Sequence, residues 1–517
     1  MTLARLATSL LVASIPLALA GAAHASPEGG AADAVEKPRS GWHDGVFFLR
    51  SADDDHRLYV QGRANVDAYV PFGPGVSDLG PGSGLQTTVF LRRVRPEISG
   101  EFHRVWQYKI EGEWGQSASD NATGQSSTLA CAVDATSGAQ TCTPRSASVE
   151  APTQKPQALD VYVNYAHSPL VNVQAGQFKI PFTLENRSSE NFTPFMEASM
   201  PVRALGAPTT RDLGVMAWGE TAGRHFYYSA GFFNGDGPNR PNPDGRFDAI
   251  GRVFAHPLLG RGTPVDELQV GLSARWGTRD AKHVGYDVST LTTQGGYAFW
   301  KPTYSDSLGR LTHVMPSGSQ LAVAGELHLP VSIVELTTEF IYVDGGTREA
   351  VDGYQLTPFT ERVGTLKGFG YYTQVGVWAM GDRSIVGRRG YSTPTHLDLD
   401  KPQAPTKSGL ELVAKWEQVQ LSYASADRKG SPDARSPDGD IKANAFALGA
   451  NYWASRNVRL SASYTYYFFP GSEPASQQTS DQRALAPAQG LAKGVDDATR
   501  ASGHSLHEIM FRLGVAL

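Results

Sequence analysis

The chain is short of charge, of aliphatic residues and of cysteine for its 517 residues. Charged residues make up 19% and hydrophobic residues 40%, below the roughly 25% and 45–50% that are typical of soluble domains. Beyond the N-terminal segment no apolar run approaches the ~18 residues that a membrane-spanning helix requires. These shortages exclude membrane-spanning helices and disfavour one large soluble core. Strands that alternate apolar and polar residues around a wet lumen would have such a composition.

The chain also lacks an excess of positive charge, with 46 Lys and Arg against 51 Asp and Glu. This mild acidity argues against nucleic acid as a partner. The sequence shows no Gly-x-Ser-x-Gly elbow and no paired nucleophile and base. We therefore expect no catalytic residues, no metal site and no cofactor.

The first 25 residues have the pattern of a secretory signal. Arg5 precedes the apolar run Leu6–Ala20, which is too short to span a bilayer, and Ala23-His24-Ala25 forms a small-x-small cleavage site. We predict a signal peptide over 1–25, a flexible Pro- and Gly-rich segment over 26–45, and a single barrel domain over 46–517.

Period-two alternation dominates the rest of the chain. In residues 56–69, for example, Val60 and Val66 fall on one face while Arg63 and Asp67 fall on the other, as in a strand with one greasy and one wet side. The pattern returns in 88–102, 107–115, 159–165, 268–276, 458–468 and 507–517. Short connections alternate with long polar ones, as expected for periplasmic turns and external loops. The sequence predicts an all-β fold, a transmembrane antiparallel β-barrel of about 16 strands that its last strand closes against the first.

Three details of the sequence pattern lead to separate predictions. The segment 383–407 is long where a short periplasmic turn is expected. The segment 409–427 changes parity, so we predict one strand with a bulge near Trp416-Glu417-Gln418. The alternative is a turn at this place, which raises the strand count and requires a further strand, for which 295–303 is the candidate. Alternation in the second strand places Phe90 on the outer face, opposite Arg93 and Arg95.

Cys131 and Cys142 are the only cysteines. They lie in a Ser-, Thr- and Ala-rich segment of a chain that we expect to be exported, where two nearby thiols usually form a disulfide. We predict that they staple an external loop.

Several stretches, in order, resemble the phosphate-selective porin O/P family. They are Phe90-Leu91-Arg92-Arg93-Val94-Arg95, Gly176-Gln177-Phe178-Lys179-Ile180-Pro181-Phe182, Arg211-Asp212-Leu213-Gly214-Val215, Gly231-Phe232-Phe233-Asn234-Gly235 and Leu448-Gly449-Ala450-Asn451-Tyr452-Trp453. The resemblance implies a trimeric, 16-stranded, anion-preferring outer-membrane channel whose third loop folds inward to narrow the pore.

Inward-facing cations are the candidate anion-binding residues, because the planar guanidinium of arginine binds oxyanions through two parallel hydrogen bonds. Parity places in the lumen Arg63, Arg93, Arg95, Lys109, Arg252 and Arg275. In or beside the third loop, at the expected constriction, lie Lys179, Arg203 and Arg211. Glutamates share the lumen face by the same parity, among them Glu97, Glu111 and Glu326, so many of these cations could simply be paired with them.

The sequence therefore predicts passive diffusion of small hydrophilic solutes across the outer membrane, with anions such as phosphate preferred. A general, weakly selective porin remains an alternative, as does a binding or adhesin barrel that uses its long loops. The expected partners are outer-membrane lipid, small anionic or polar solutes, and two further copies of the chain in a homotrimer.

Overall fold

A computed structural model describes most of the barrel domain. The described residues are 38–73, 87–115, 127–133, 140–146, 156–206, 210–280, 288, 291–295, 298–300, 304–305, 311–351, 362–403, 407–425, 439–468 and 505–516. The predicted signal peptide lies outside them, as does the flexible segment up to residue 37.

Sixteen antiparallel strands form the barrel, each hydrogen-bonded to the next. They are β1 His56–Phe72, β2 Thr88–Phe102, β3 Trp106–Glu113, β4 Gln157–Ser168, β5 Val171–Lys179, β6 Arg211–Glu220, β7 Phe226–Phe233, β8 Asp248–Ala255, β9 Gln269–Arg279, β10 Leu311–Val331, β11 Val334–Val351, β12 Arg362–Met380, β13 Gly409–Ser425, β14 Gly439–Ser455, β15 Val458–Phe468 and β16 Ser505–Ala516. The last strand pairs with the first, with Arg512 opposite Asp67, so the sheet closes and leaves no edge for lipid to meet. The predicted barrel and its strand number are confirmed.

An N-terminal hairpin extends the sheet beside β1. It consists of the strands Ser40–His43 and Val46–Arg50, and Leu49 pairs with Leu58 of β1. Its tight turn uses Asp44 and Gly45, both with positive φ. The expected flexible character of 26–45 therefore does not hold for its last residues, which join the sheet.

Alternation separates the outer surface of the barrel from its interior. Outward side chains such as Val215, Leu272 and Leu460 are about half exposed, while the intervening Asp67, Arg252 and Glu411 are fully buried inside. An apolar outside lets the strands face lipid while their backbone groups are satisfied within the closed sheet. No helix among the described residues is long and apolar enough to cross a membrane.

The second strand contains a bulge that the sequence did not predict. The register shifts between Asn65 and Val66 of β1, whose partners in β2 are Arg93 and Leu91, so that Arg92 has no partner. A bulge reverses the facing of every residue beyond it. The prediction for Phe90 is therefore wrong: it is 6% exposed and lies inside the barrel, while Val89 and Leu91 face outward.

The predicted bulge in β13 is also wrong. The strand pairs without interruption to β14 from Gly409 to Tyr423, and Lys415, Glu417 and Val419 are all buried on one face. The parity appeared to change only because apolar residues of the second half of the strand point into the lumen.

The two ends of the barrel differ. At one end, which we call the short-turn end, most connections are brief, as at 103–105, 169–170, 332–333 and 456–457. The opposite long-loop end carries the long polar connections. The connections 256–268 and 381–408 are the long exceptions at the short-turn end.

Candidate functional site

The segment between β5 and β6 crosses the inside of the barrel. We call residues 180–206 the inner loop; it contains the short helices α1 Leu184–Arg187 and α2 Met200–Leu205. Asn191 accepts a hydrogen bond from Arg63 of β1 at 2.9 Å, and the Thr183 amide donates to Ser273 of β9 at 3.2 Å. Because β1 and β9 are eight strands apart in a sixteen-stranded barrel, the inner loop spans the lumen.

Apolar packing and backbone hydrogen bonds hold the inner loop in place. Met200, Val202 and Leu205 of α2 belong to one buried cluster with inward-facing residues of the wall, including Val419 and Leu421 of β13. Burying side chains of this size contributes roughly 1.5–3 kcal/mol each. This contact explains why the second half of β13 places apolar residues inside the barrel.

A polar contact adds to this packing at the start of α2. The Met200 amide donates to Glu417 of β13 at 2.8 Å. The carboxylate thereby satisfies an amide that the helix itself leaves without a partner.

Four guanidinium groups converge on the carboxylate of Glu190 at the middle of the inner loop. Its oxygens lie 2.6 Å from Arg95, 3.0 Å from Arg93, 3.5 Å from Arg63 and 4.0 Å from Arg211. Burial opposes ionisation of Glu190, yet the surrounding cations hold its pKa well below the usual range. We call Glu190 and these four arginines the guanidinium nest. It shows that the wall can hold an oxyanion at this level.

A second inner-loop carboxylate, Glu197, has a similar setting. Arg92 and Arg512 each lie 2.9 Å from it, and Arg93 lies 3.0 Å away. Here too burial is outweighed by the cations, and the pKa of Glu197 is held well below its usual range. Arg92 reaches inward only because the β2 bulge turns it toward the lumen, and strict alternation along the strand could not have indicated this.

Most of the remaining predicted site residues are paired with carboxylates of the wall. Lys109 lies 2.8 Å from Glu97 and 3.1 Å from Glu111. The other pairs are Arg211 with Asp160 at 2.7 Å, Arg252 with Glu326 at 2.6 Å and Arg275 with Asp248 at 2.5 Å. The structure thus brings Arg63, Arg93, Arg95 and Arg211 together, and places Arg252 and Arg275 in separate pairs.

Lys179 and Arg203 differ from the other predicted residues. Lys179 donates to the carbonyl oxygen of Ser188 at 2.7 Å, and Arg203 donates to that of Thr292 at 2.6 Å. Among the residues that the structure describes, these two cations are bonded to carbonyl oxygens and not to a carboxylate. Sequence reasoning missed the acidic members of the site, Glu190 and Glu197, because they lie on a loop without periodicity.

A second segment enters the lumen from the short-turn end. Residues 388–397, within the long connection between β12 and β13, form what we call the turn insert. Arg388 lies 2.5 Å from Glu220 of β6, and Arg389 lies 2.8 Å from Glu335 of β11. His396 contacts Glu101 of β2 at 2.8 Å. These partners are widely separated around the wall, so the turn insert also lies within the barrel.

The turn insert meets the inner loop inside the lumen. Arg187 donates to the carbonyl oxygen of Ser392 at 2.6 Å, and the Gly390 amide donates to Ser188 at 2.7 Å. A cavity of about 510 Å³ opens below this contact at the short-turn end, and Arg383, Arg388 and Arg389 are among its lining residues. The lumen is therefore narrowed from both ends.

The cysteine-bearing segment forms a small hairpin apart from the barrel sheet. Its strands are Ser127–Val133 and Gln140–Ser146, with Cys131 directly opposite Cys142. Directly opposed residues have Cα atoms about 4.5–5.5 Å apart, a separation that a disulfide spans. The disulfide stays a prediction.

Comparison with known proteins gives one family match. The model of the family "Phosphate-selective porin O and P" matches residues 80–467. No curated protein matches the chain.

Solved structures with a similar fold are outer-membrane proteins. OmpT of Vibrio cholerae, expressed in the outer membrane, is 9% identical over 91% of this chain and 100% of its own, with a TM-score of 0.47. An anion-selective porin from Comamonas acidovorans is 11% identical over 89% and 100%, with a TM-score of 0.43. The outer-membrane channel DcaP of Acinetobacter baumannii is 10% identical over 91% and 99%, with a TM-score of 0.43.

Proposed function

This chain belongs to the phosphate-selective porin O and P family and is a channel of the outer membrane, and we propose that it passes small hydrophilic solutes by passive diffusion, with anions such as phosphate preferred. The guanidinium nest carries this proposal. Four arginines of the wall surround one carboxylate on the inner loop, so the nest itself carries more positive than negative charge. Each of these arginines also contacts one carboxylate outside the nest. Selectivity of a pore follows the charges at its constriction.

Phosphate suits the nest for the reason that Glu190 does. A guanidinium forms two parallel hydrogen bonds to a pair of oxygens on one group, and both carboxylate and phosphate present such a pair. Glu190 then acts as a tethered competitor for the permeating anion. Wall cations that lie outside the nest in separate pairs, such as Arg252 and Arg275, would contribute less to permeation.

The experiment is to remove the charge of Glu190 and measure selectivity. Glu190→Gln removes the one carboxylate that all four guanidiniums approach. The arginines then keep their second carboxylate partners, which are Glu111 for Arg63, Glu197 for Arg93, Glu113 for Arg95 and Asp160 for Arg211. We expect the reversal potential of this variant in a salt gradient to move toward the value for a pore that passes only anions. We also expect phosphate to block the chloride current of the variant at a lower concentration than that of the wild type.

Glu185→Gln is the matched control in the same loop. Glu185 accepts hydrogen bonds from Ser199, which the amide oxygen of Gln can also accept, and burial raises its pKa. It should leave reversal potential and phosphate block unchanged. Equal behaviour of Glu190→Gln and Glu185→Gln would contradict the anion proposal, and a wild-type current indifferent to phosphate would leave a general porin.

We further propose a homotrimer and a cleaved signal peptide at residues 1–25. Both rest on the sequence and its family. Chemical cross-linking of the detergent-solubilised protein should give a band at three chains, and N-terminal sequencing of the exported protein should begin at Ser26. A cross-linked band no larger than one chain would overturn the trimer.

A further inference from the structure

Three ligand-type side chains meet at the rim of the short-turn end, outside the lumen. They are Asp55 and His56, at the start of β1, and His103 in the turn between β2 and β3. One carboxylate oxygen of Asp55 lies 2.8 Å from Nδ1 of His103 and 3.9 Å from Nε2 of His56. The ligand atoms of all three lie within 4.8 Å of one another.

These separations are close to what a tetrahedral metal site needs. With bonds of about 2.0–2.2 Å to nitrogen and oxygen, neighbouring ligand atoms lie roughly 3.3–3.6 Å apart. One pair here is slightly shorter and another slightly longer than that range, so small side-chain rotations would bring the three atoms to a common centre. The imidazole rings of His56 and His103 are 5.1 Å apart and inclined at 63°, which leaves room for an ion between them.

The backbone holds these residues in place before any ion arrives. Ser51 accepts hydrogen bonds from the amides of Asp55 at 3.1 Å and His56 at 3.0 Å. His103 has a φ of 52°, a left-handed conformation that is uncommon for a residue other than glycine. Strained backbone of this kind is concentrated at functional sites.

Exposure and charge decide what kind of ion fits. The side chains of His56 and His103 are 58% and 65% exposed, so solvent can complete the coordination. Arg104 approaches the other Asp55 oxygen, at 3.9 Å, and donates to the carbonyl oxygen of Asp53 at 3.0 Å. Its side chain is 71% exposed, so it can turn outward into solvent once that single hydrogen bond is exchanged for one to water. Two imidazoles and one carboxylate favour zinc and similar first-row ions over magnesium or calcium.

We propose that Asp55, His56 and His103 form a zinc site on the rim of the channel. This departs from the expectation of no metal, because the sequence separates His103 from the other two by a whole hairpin. The site joins the turn that precedes β1 to the turn between β2 and β3. It is independent of the solute that the channel passes.

The test is zinc titration of untagged, chelator-stripped protein by calorimetry, with Asp55→Asn, His56→Asn and His103→Asn as variants. We expect one zinc per chain and a loss of affinity of about tenfold or more in each variant, since even outer-shell changes cost 10–100-fold. His225→Asn, at another exposed turn of the same end, is the matched control and should bind as the wild type does. Absence of stoichiometric binding, or binding that survives any of the three substitutions, would overturn the site.

Discussion

At the scale of single residues, the interior of this barrel is a set of ion pairs whose members depend on one another. Arg252 illustrates this, because its side chain is fully buried and donates to both oxygens of Glu326, at 2.8 and 2.6 Å. Breaking one half of a buried pair leaves an uncompensated charge, which costs more than the pair itself contributes.

Glu326→Gln should therefore lower the free energy of unfolding of the barrel by about 3 kcal/mol. This value is at the lower end of the range for buried pairs because Arg252 keeps its hydrogen bond to the Gly390 carbonyl. Urea unfolding in detergent measures this. Glu267→Gln is the control, since Glu267 is 54% exposed and pairs with Arg383 at the surface, where a pair contributes at most about 1 kcal/mol. Equal shifts for the two variants would contradict the account.

The alternation of faces along a strand predicted which cations point into the lumen, but it could not predict which carboxylates they contact there. Arg63, Arg93 and Arg95 lie on the inner wall beside Glu190, the face that alternation along a strand gives them. Their partner Glu190 lies on a loop far along the chain, and its position depends on how that loop packs. Phe90 was misplaced, and the inward position of Arg92 was not predicted, because the bulge that reorients them has no signature in the alternation of a single strand.

At the scale of elements, the turn insert is tied to the wall by a titratable contact. The hydrogen bond to Glu101 raises the pKa of His396, and partial burial opposes it only in part. Arg57 and Asp398 are the other charged groups that act on it. A raised pKa means that His396 stabilises the docked insert at low pH and that this contribution is lost as pH rises through that pKa.

We expect the channel to open more often, or conduct more, at pH 8 than at pH 5.5. His396→Gln should flatten this dependence on pH without abolishing current. Single-channel recordings across this range test the prediction, and an unchanged pH profile in His396→Gln would show that another group is responsible.

Replacing residues 388–397 with a short Gly-Ser turn should raise single-channel conductance several-fold, because the insert and the inner loop meet inside the lumen. The sequence indicated only that this connection is unusually long. That it folds inward depends on Arg388, Arg389 and His396 finding acidic partners on distant strands. A conductance equal to that of the wild type would mean that the insert does not limit flow.

The small hairpin that contains the two cysteines gives a simpler prediction. Cys131 and Cys142 face each other across its register, so peptide mapping without reductant should recover them in one linked pair. Alkylation of both thiols in the unreduced, exported protein would contradict the disulfide.

At the scale of the whole molecule, the barrel fold could be predicted from the sequence because closure of the sheet imposes a simple rule. Sixteen strands must alternate apolar and polar faces and end against the first strand, and Leu513 and Phe511 of β16 keep this pattern beside β1. The interior obeys no such rule. Where α2 packs on the wall, apolar residues such as Val419 and Leu421 point inward. For this reason the sequence predicted a bulge in β13 that the strand does not have.

The most direct test of the central claim is the reversal potential of single wild-type channels in a planar bilayer under a salt gradient. The guanidinium nest predicts stepwise currents whose reversal potential has the sign expected when anions permeate more readily than cations. Added phosphate should reduce the chloride current. A reversal potential on the cation side, or no current from correctly refolded protein, would contradict the account.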